Sequence, residues 1–369
     1  MTVRGPRRIV QSDWIMFLVV LILLVVGLVM VYSASYGFAL FEDGAYEGRP
    51  AYFTKRQAIF LLAGLGAMLF TWRVDYHVYR KFAVHILVLT VLMLLVIAPV
   101  GRWIVRSRSI QPVELAKVGA IIYIAVWLAA HGEHIRDISL GLIPFALLLG
   151  GIAGLIIAQP DFSSAMLLIA TATAMFFVAG ADMRQLLISF LFGGIAVLAV
   201  MFLASYRSDR VRTWLHGPLS DPMGEGFQPI QSLVALNEGG WLGVGLGTSQ
   251  QKFVLYAPHT DGIFAIIGEE LGFVGAVTVV LLYALWTWRG FYIARCAQDV
   301  YGMLLAVGLV SWVTFQAALH IAVVAGLAPF TGTVLPFVSY GGSSLVTSLA
   351  SVGILLNISQ NSTGQEGVT

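Results

Sequence analysis

Residues 14–35 read WIMFLVVLILLVVGLVMVYSAS, a run without one charged side chain. At about 1.5 Å per residue a helix of that length reaches about 33 Å, slightly more than the hydrocarbon core of a bilayer. The run is predicted to cross a membrane, where backbone polar groups must be satisfied inside helices. Arg4, Arg7 and Arg8 precede it, and no small-residue cleavage site divides it from polar sequence. A retained first span, and not a removable signal peptide, is therefore expected.

The same signature recurs outward from that run. The 369 residues are 59% hydrophobic and only 11% charged, whereas a soluble domain is about a quarter charged. Apolar stretches at about 14–35, 56–71, 82–100, 112–130, 139–158, 162–180, 184–205, 263–288, 302–326 and 338–358 predict an all-α polytopic membrane protein of about ten transmembrane helices. Cys296 is the only cysteine, so no intramolecular disulfide is possible. A net charge of +2 without a basic, aromatic-interleaved stripe speaks against nucleic-acid binding.

An even number of spans puts both termini on one side, and the Arg4, Arg7, Arg8 cluster assigns that side to the cytoplasm. By this assignment ten Lys and Arg side chains lie inside, ten outside, and Lys117 within a span. Most of the outer ones fall in two clusters, and a basic outer vestibule suits an anionic substrate. The long connection at about 206–262, between the seventh and eighth spans, is Gly-rich and carries NEGGWLGVGLG. It keeps Trp214, Phe227, Trp241, Phe253 and Tyr256, too many apolar anchors for a disordered linker. An ordered extracytoplasmic cap is expected there, within a single domain over 1–360, followed by a disordered cytoplasmic tail at 361–369.

Few residues remain to carry chemistry. In QPVELAKVG, Glu114 and Lys117 stand three apart, so a helix puts them on one face, as a structural ion pair or a functional one. Arg102, Arg106 and Arg108 just before it are solvated cations or diphosphate ligands. Asp161 in QPDFSS suits a helix N-cap. In LPFVSYGGSS, residues 335–344, Gly341 and Gly342 allow close backbone approach while Ser339, Ser343 and Ser344 offer hydroxyls. HTDGIFAIIGEELG, residues 259–272, holds three acids at the start of an apolar run. Along one helix Glu269 would lie about 12 Å from Asp261. A glycosidic acid–base pair needs carboxyls about 5–9.5 Å apart, so Asp261 is expected to act alone, with Glu269 and Glu270 deeper in the bundle.

FTKRQ, RWI…IQPVELAK, AQPDFSSA, GGWLGVGLGTSQQK, HTDGIFAIIGEELGFVG and TGTVLPFVSYGGSS follow one another in this order over nearly the whole chain. The set resembles the SEDS family (shape, elongation, division and sporulation) of the RodA/FtsW type. The resemblance implies a peptidoglycan glycosyltransferase that polymerises lipid II outside the cytoplasmic membrane, beside a class B penicillin-binding protein that crosslinks the strands. It places the family's catalytic aspartate at Asp261, its fourth-span glutamate and lysine at Glu114 and Lys117, and its second-span Arg-Gln at Arg56 and Gln57. Three positions depart from the family pattern: Gly262 for an aromatic residue, Val113 for serine and His320 for asparagine. Gly262 is expected to loosen the backbone beside Asp261.

The expected reaction is an inverting transfer with Asp261 as base, at a site whose substrate-binding candidates are Arg56, Arg102, Glu114, Lys117, Asp161, Lys252, His259, Thr260, Ser339, Gly341, Gly342 and Ser343. Arg102, Arg56, Lys117 and Lys252 are the cations that would meet the departing diphosphate. A divalent cation is compatible with this chemistry, although no ligand spacing calls for one. A lipid II flippase or a non-catalytic scaffold for the crosslinking enzyme fits ten spans as well. The closing SYGGSSLVTSLASVGILLNIS leans toward division over elongation.

Overall fold

The computed structural model describes residues 13–41, 50–104, 111–159, 161–203 and 205–361, without the side chains of 38–41, 97–104, 133, 192, 195–203 and 205–207. Among them every regular element is helical. In chain order these are α1 (Trp14–Phe41), α2 (Tyr52–Arg73), α3 (His77–Ile104), α4 (Pro112–His131), α5 (Ile143–Ile157), α6 (Phe162–Val178), α7 (Met183–Leu203), α8 (Ser205–His216), α9 (Phe227–Glu238), α10 (Ile263–Arg295), α11 (Val300–Val324) and α12 (Gly342–Gln360).

Eight helices among the described residues are long and apolar enough to cross a membrane: α1 to α4, α5 with its leading turn from Ile138, and α10 to α12. The apolar α6 is shorter, at 17 residues, and α7 has 21. The second span is longer than its apolar run, because Tyr52 to Lys55 add a helical turn before Arg56. The last begins at Gly342 and not at 338, because the preceding backbone is bonded elsewhere. Residues 206–262, expected as a cap, hold α8, α9 and a series of tight turns. The proposed tail lies outside the described residues from 362 onward, as do Arg4, Arg7, Arg8, Arg106, Arg108 and the side chain of Arg102.

α2 and α12 pack side by side with their N-terminal ends together. Gln57 reaches Ser339 and Gly341 at one end (3.2 and 3.4 Å), and Asn357 reaches the Trp72 carbonyl at the other (2.8 Å). Small residues permit this approach: a side chain at Gly353 would strike the backbone of Met68, and one at Gly64 the side chain of Leu349. At the face away from Gln57, Asp13 caps α1 through the Met16 amide (2.9 Å) and receives a forked bond from Arg289 of α10 (3.0 and 2.5 Å). That pair fixes α1 against α10 and gives the bundle a reference level.

Candidate active site

The segment 325–341 links α11 to α12, and side chains from most of the bundle converge on it. Tyr283 of α10 donates to the Pro336 carbonyl, Ser163 of α6 to Thr331 (3.1 Å), Trp214 of α8 to Gly326 (3.1 Å) and Arg210 of α8 to Phe330 (3.5 Å). A segment bonded from so many sides is held as a platform for what lies against it.

Asp261 lies against it. The turn His259–Thr260–Asp261 is closed by Thr260 and Gly262 amides donating to the Ala257 carbonyl (3.1 and 3.2 Å). Ser339 Oγ donates to the Thr260 carbonyl and accepts from the Leu335 amide, both at 2.8 Å, while the Tyr340 amide donates to the His259 carbonyl (2.9 Å). The buried His259 ring sits 4.3 Å from Phe53 of α2 and 5.5 Å from Tyr340. The turn leading into α10 is thus joined to α2 and to the segment leading into α12 within two residues of Asp261. Its half-buried carboxylate faces Gly332, where an added Cβ would stand 3.5 Å from Oδ2.

Asp261 does not cap α10. The capping residue is Gly262, and no side chain caps the helix. Nor is Gly262 loose: its φ of −97° is open to any residue, and a Cβ there would meet Leu255 at 3.1 Å and Pro258 at 3.3 Å.

Several of the substrate-contact candidates have partners within the protein. Glu114 and Lys117 are 3% and 1% exposed and pair at 2.8 Å. Lys117 also donates to Gln316 of α11 (3.0 Å), whose amide nitrogen donates to the Val334 carbonyl (3.1 Å). Their charges therefore act on the platform from beneath and are closed to solvent. Lys252 is buried too, donating to the Gly247 carbonyl at 2.6 Å with Glu270 at 3.6 Å, so its ammonium is committed within the loop. Asp161 caps α6 through the Ser164 amide (3.0 Å). Ser343 accepts from the Gln111 amide at 2.8 Å, binding α12 to the start of α4. Gly342 packs on the Phe60 ring, and Gly341 is simply extended at φ 179°. Arg56 is half-buried, with its guanidinium donating to the Tyr52 hydroxyl (2.9 Å).

Glu269 and Glu270 are each 1% exposed and face the loop that folds back on α10. Glu269 accepts from the Ser249 hydroxyl (2.5 Å) and the Gln250 amide (2.7 Å), and Glu270 from the Ser33 hydroxyl of α1 (2.6 and 2.7 Å). Gln316, Gly332 and Ser33 were not signalled by the sequence, because each matters through a partner far along the chain. No cluster of three or more metal-ligating side chains occurs among the described residues.

The fold and this site define a polytopic helical membrane protein in which the turn carrying Asp261 is fixed through its backbone to the segment between α11 and α12. The family model for FtsW, RodA and SpoVE, described as cell cycle protein, matches residues 13–364, and the chain belongs to that family. Stage V sporulation protein E of Bacillus subtilis is 40% identical over 95% of this chain and 98% of its own length. The probable peptidoglycan glycosyltransferase FtsW of Trichlorobacter lovleyi is also 40% identical, over 96% and 95%. Among solved structures, a chain from a peptidoglycan synthase complex that coordinates polymerization and crosslinking superposes with a TM-score of 0.77 at 28% identity, covering 94% of this chain and 97% of its own. The rod shape determining protein RodA of Thermus thermophilus shares the fold, with a TM-score of 0.68 at 24% identity over 96% and 98%.

Proposed function

We propose that this protein is a peptidoglycan glycosyltransferase that polymerises lipid II at the outer face of the cytoplasmic membrane, with both termini inside. The observation that carries the reading is Asp261, half-buried and facing Gly332 while the carbonyl of Thr260 beside it is pinned by Ser339. Whole-length similarity to relatives bearing that activity in their names supports the same reaction class.

In the proposed step the 4-hydroxyl oxygen of the acceptor sugar attacks the anomeric carbon of the lipid-linked donor, with inversion. The bond from that carbon to the diphosphate oxygen breaks, and its electron pair leaves with the diphosphate. Asp261 accepts the hydroxyl proton. Because the leaving group is already an anion, no general acid is needed, and the site must supply positive charge instead. Arg56, one helical turn from the Phe53 ring that packs on His259, is the first candidate, and Arg102 is the second. Lys117 and Lys252 are spent on buried partners and serve the platform and the loop. A class B penicillin-binding protein is the proposed partner, in keeping with the synthase complex whose chain this one resembles.

Glycan chain formation and lipid II flipping, followed on the same liposome-reconstituted sample, test this reading. Polymer made by the purified chain is the expected result. Flipping without polymer would make the protein a transporter, and neither activity would make it a scaffold.

A further inference from the structure

We propose that the hairpin at residues 239–247 is inserted in the lipid leaflet on the face carrying Asp261, with phospholipid acyl chains as the partner of its apolar side chains. This reading rests on the fold alone and does not require the catalytic assignment.

The backbone is the first observation. α10 breaks at Gly272 (φ 68°, ψ −167°), which leaves carbonyls before it and amides after it without helical partners. The hairpin supplies them. Val244 and Gly245 amides donate to the Glu269 and Glu270 carbonyls (2.9 and 3.1 Å), and the Phe273 and Val274 amides donate to Gly240 and Trp241 (2.8 and 3.2 Å). Irregular backbone is tolerated at membrane depth only where protein satisfies it, and here each element satisfies the other.

Depth is the second. The Asp13–Arg289 pair marks one boundary, flanked by the exposed Trp14 and Trp288. From Asp13, Ser33 lies twenty residues up α1, and from Arg289, Glu270 lies nineteen residues up α10. At about 1.5 Å per residue these distances are about 30 and 28 Å, and Ser33 and Glu270 are hydrogen-bonded to each other. The α1 ruler, with the α10 one that meets the break only in its last turn, places Glu270 about one hydrocarbon thickness from the first boundary. Phe273 stands sixteen residues from Arg289, about 24 Å, and so falls inside the layer. The ring of Trp241 lies 5.2 Å from that of Phe273.

Side-chain chemistry is the third. Trp241, Leu242 and Leu246 are 74%, 80% and 58% exposed, and the apolar surface continues onto Phe273, Val274 and Leu281 of the span. No charged residue occurs from Gly239 to Gln251. An uncharged, aromatic-tipped element at this depth fits the interfacial layer, where such groups bury about 5–10 Å into the headgroup and acyl boundary.

Spin-label accessibility in the full chain tests this. Cys296→Ser carrying Leu242→Cys or Leu246→Cys is labelled with a nitroxide and reconstituted in phosphatidylethanolamine–phosphatidylglycerol vesicles. Collision with dissolved oxygen is compared with collision with a water-soluble nickel chelate. Met223→Cys, at a position 89% exposed between α8 and α9, is the aqueous reference. The oxygen-to-nickel ratio at 242 and 246 is expected to exceed that at 223 by at least tenfold. A ratio equal to that at 223 would put the hairpin in water and overturn the proposal. Suppression of both collisions, in the pure protein or on adding a partner protein, would make it a protein-docking surface and overturn it equally.

Discussion

Asp261 owes its position to its neighbours. Ser339, Gln57 and His259 fix the turn, and Gly332 leaves open the space in front of its carboxylate. Gly332→Val should fill that space and lower polymerisation at least about tenfold, a loss of roughly 1.4 kcal/mol of transition-state stabilisation. Its cost to folding, from a side chain at φ +65°, should be only about 1–2 kcal/mol, so product yield and thermal midpoint measured together separate the two effects. Lys117→Met strands Glu114 in the bundle and should cost about 3–5 kcal/mol of stability, whereas Glu114→Gln combined with Lys117→Met should recover much of it. Denaturation of the three variants side by side checks this. Asp261, Glu114 and Lys117 stand out as candidates because charge in an apolar chain is conspicuous, and helical spacing foretold the Glu114–Lys117 pair. The contacts of Lys252 and Ser339 were not legible, since their partners Glu270 and Thr260 are 18 and 79 residues away.

At the scale of elements, nearly every helix follows from its apolar run. The break in α10 does not, because Gly272 is one of three glycines in FAIIGEELGFVG and nothing in the pattern singles it out. Only the returning backbone of the hairpin shows why Gly272 is needed: a Cβ there would be forced into Leu242 and the Gly243 amide. Gly272→Ala combines that collision with the strain of φ +68°, so a loss of more than about 2 kcal/mol is expected. It should also detach the loop, seen as faster proteolysis between 240 and 256 than in wild-type protein. Glu269 and Glu270 belong to the same element-scale device. They are buried deeper than Asp261, as expected; what the sequence did not show is that they lie one helical turn before the break and hold Ser249, Gln250 and Ser33 in place.

Across the whole molecule, the largely buried ion pair Asp13–Arg289 near one face and the Ser33–Glu270 contact near the other hold α1 and α10 side by side and antiparallel. Between them the bundle forms a rigid frame, and the platform at 325–341 closes it on the side of Asp261. Such a frame suits a reaction whose two substrates are tethered to the same leaflet, because positioning then supplies much of the rate. The measurement that tests this most directly is glycan polymer formed from purified lipid II by wild-type protein and by Asp261→Asn, with helical content and thermal midpoint recorded for both. Wild-type protein should yield long strands, and Asp261→Asn none, with an unchanged fold. Near-normal strands from folded Asp261→Asn would contradict the central assignment.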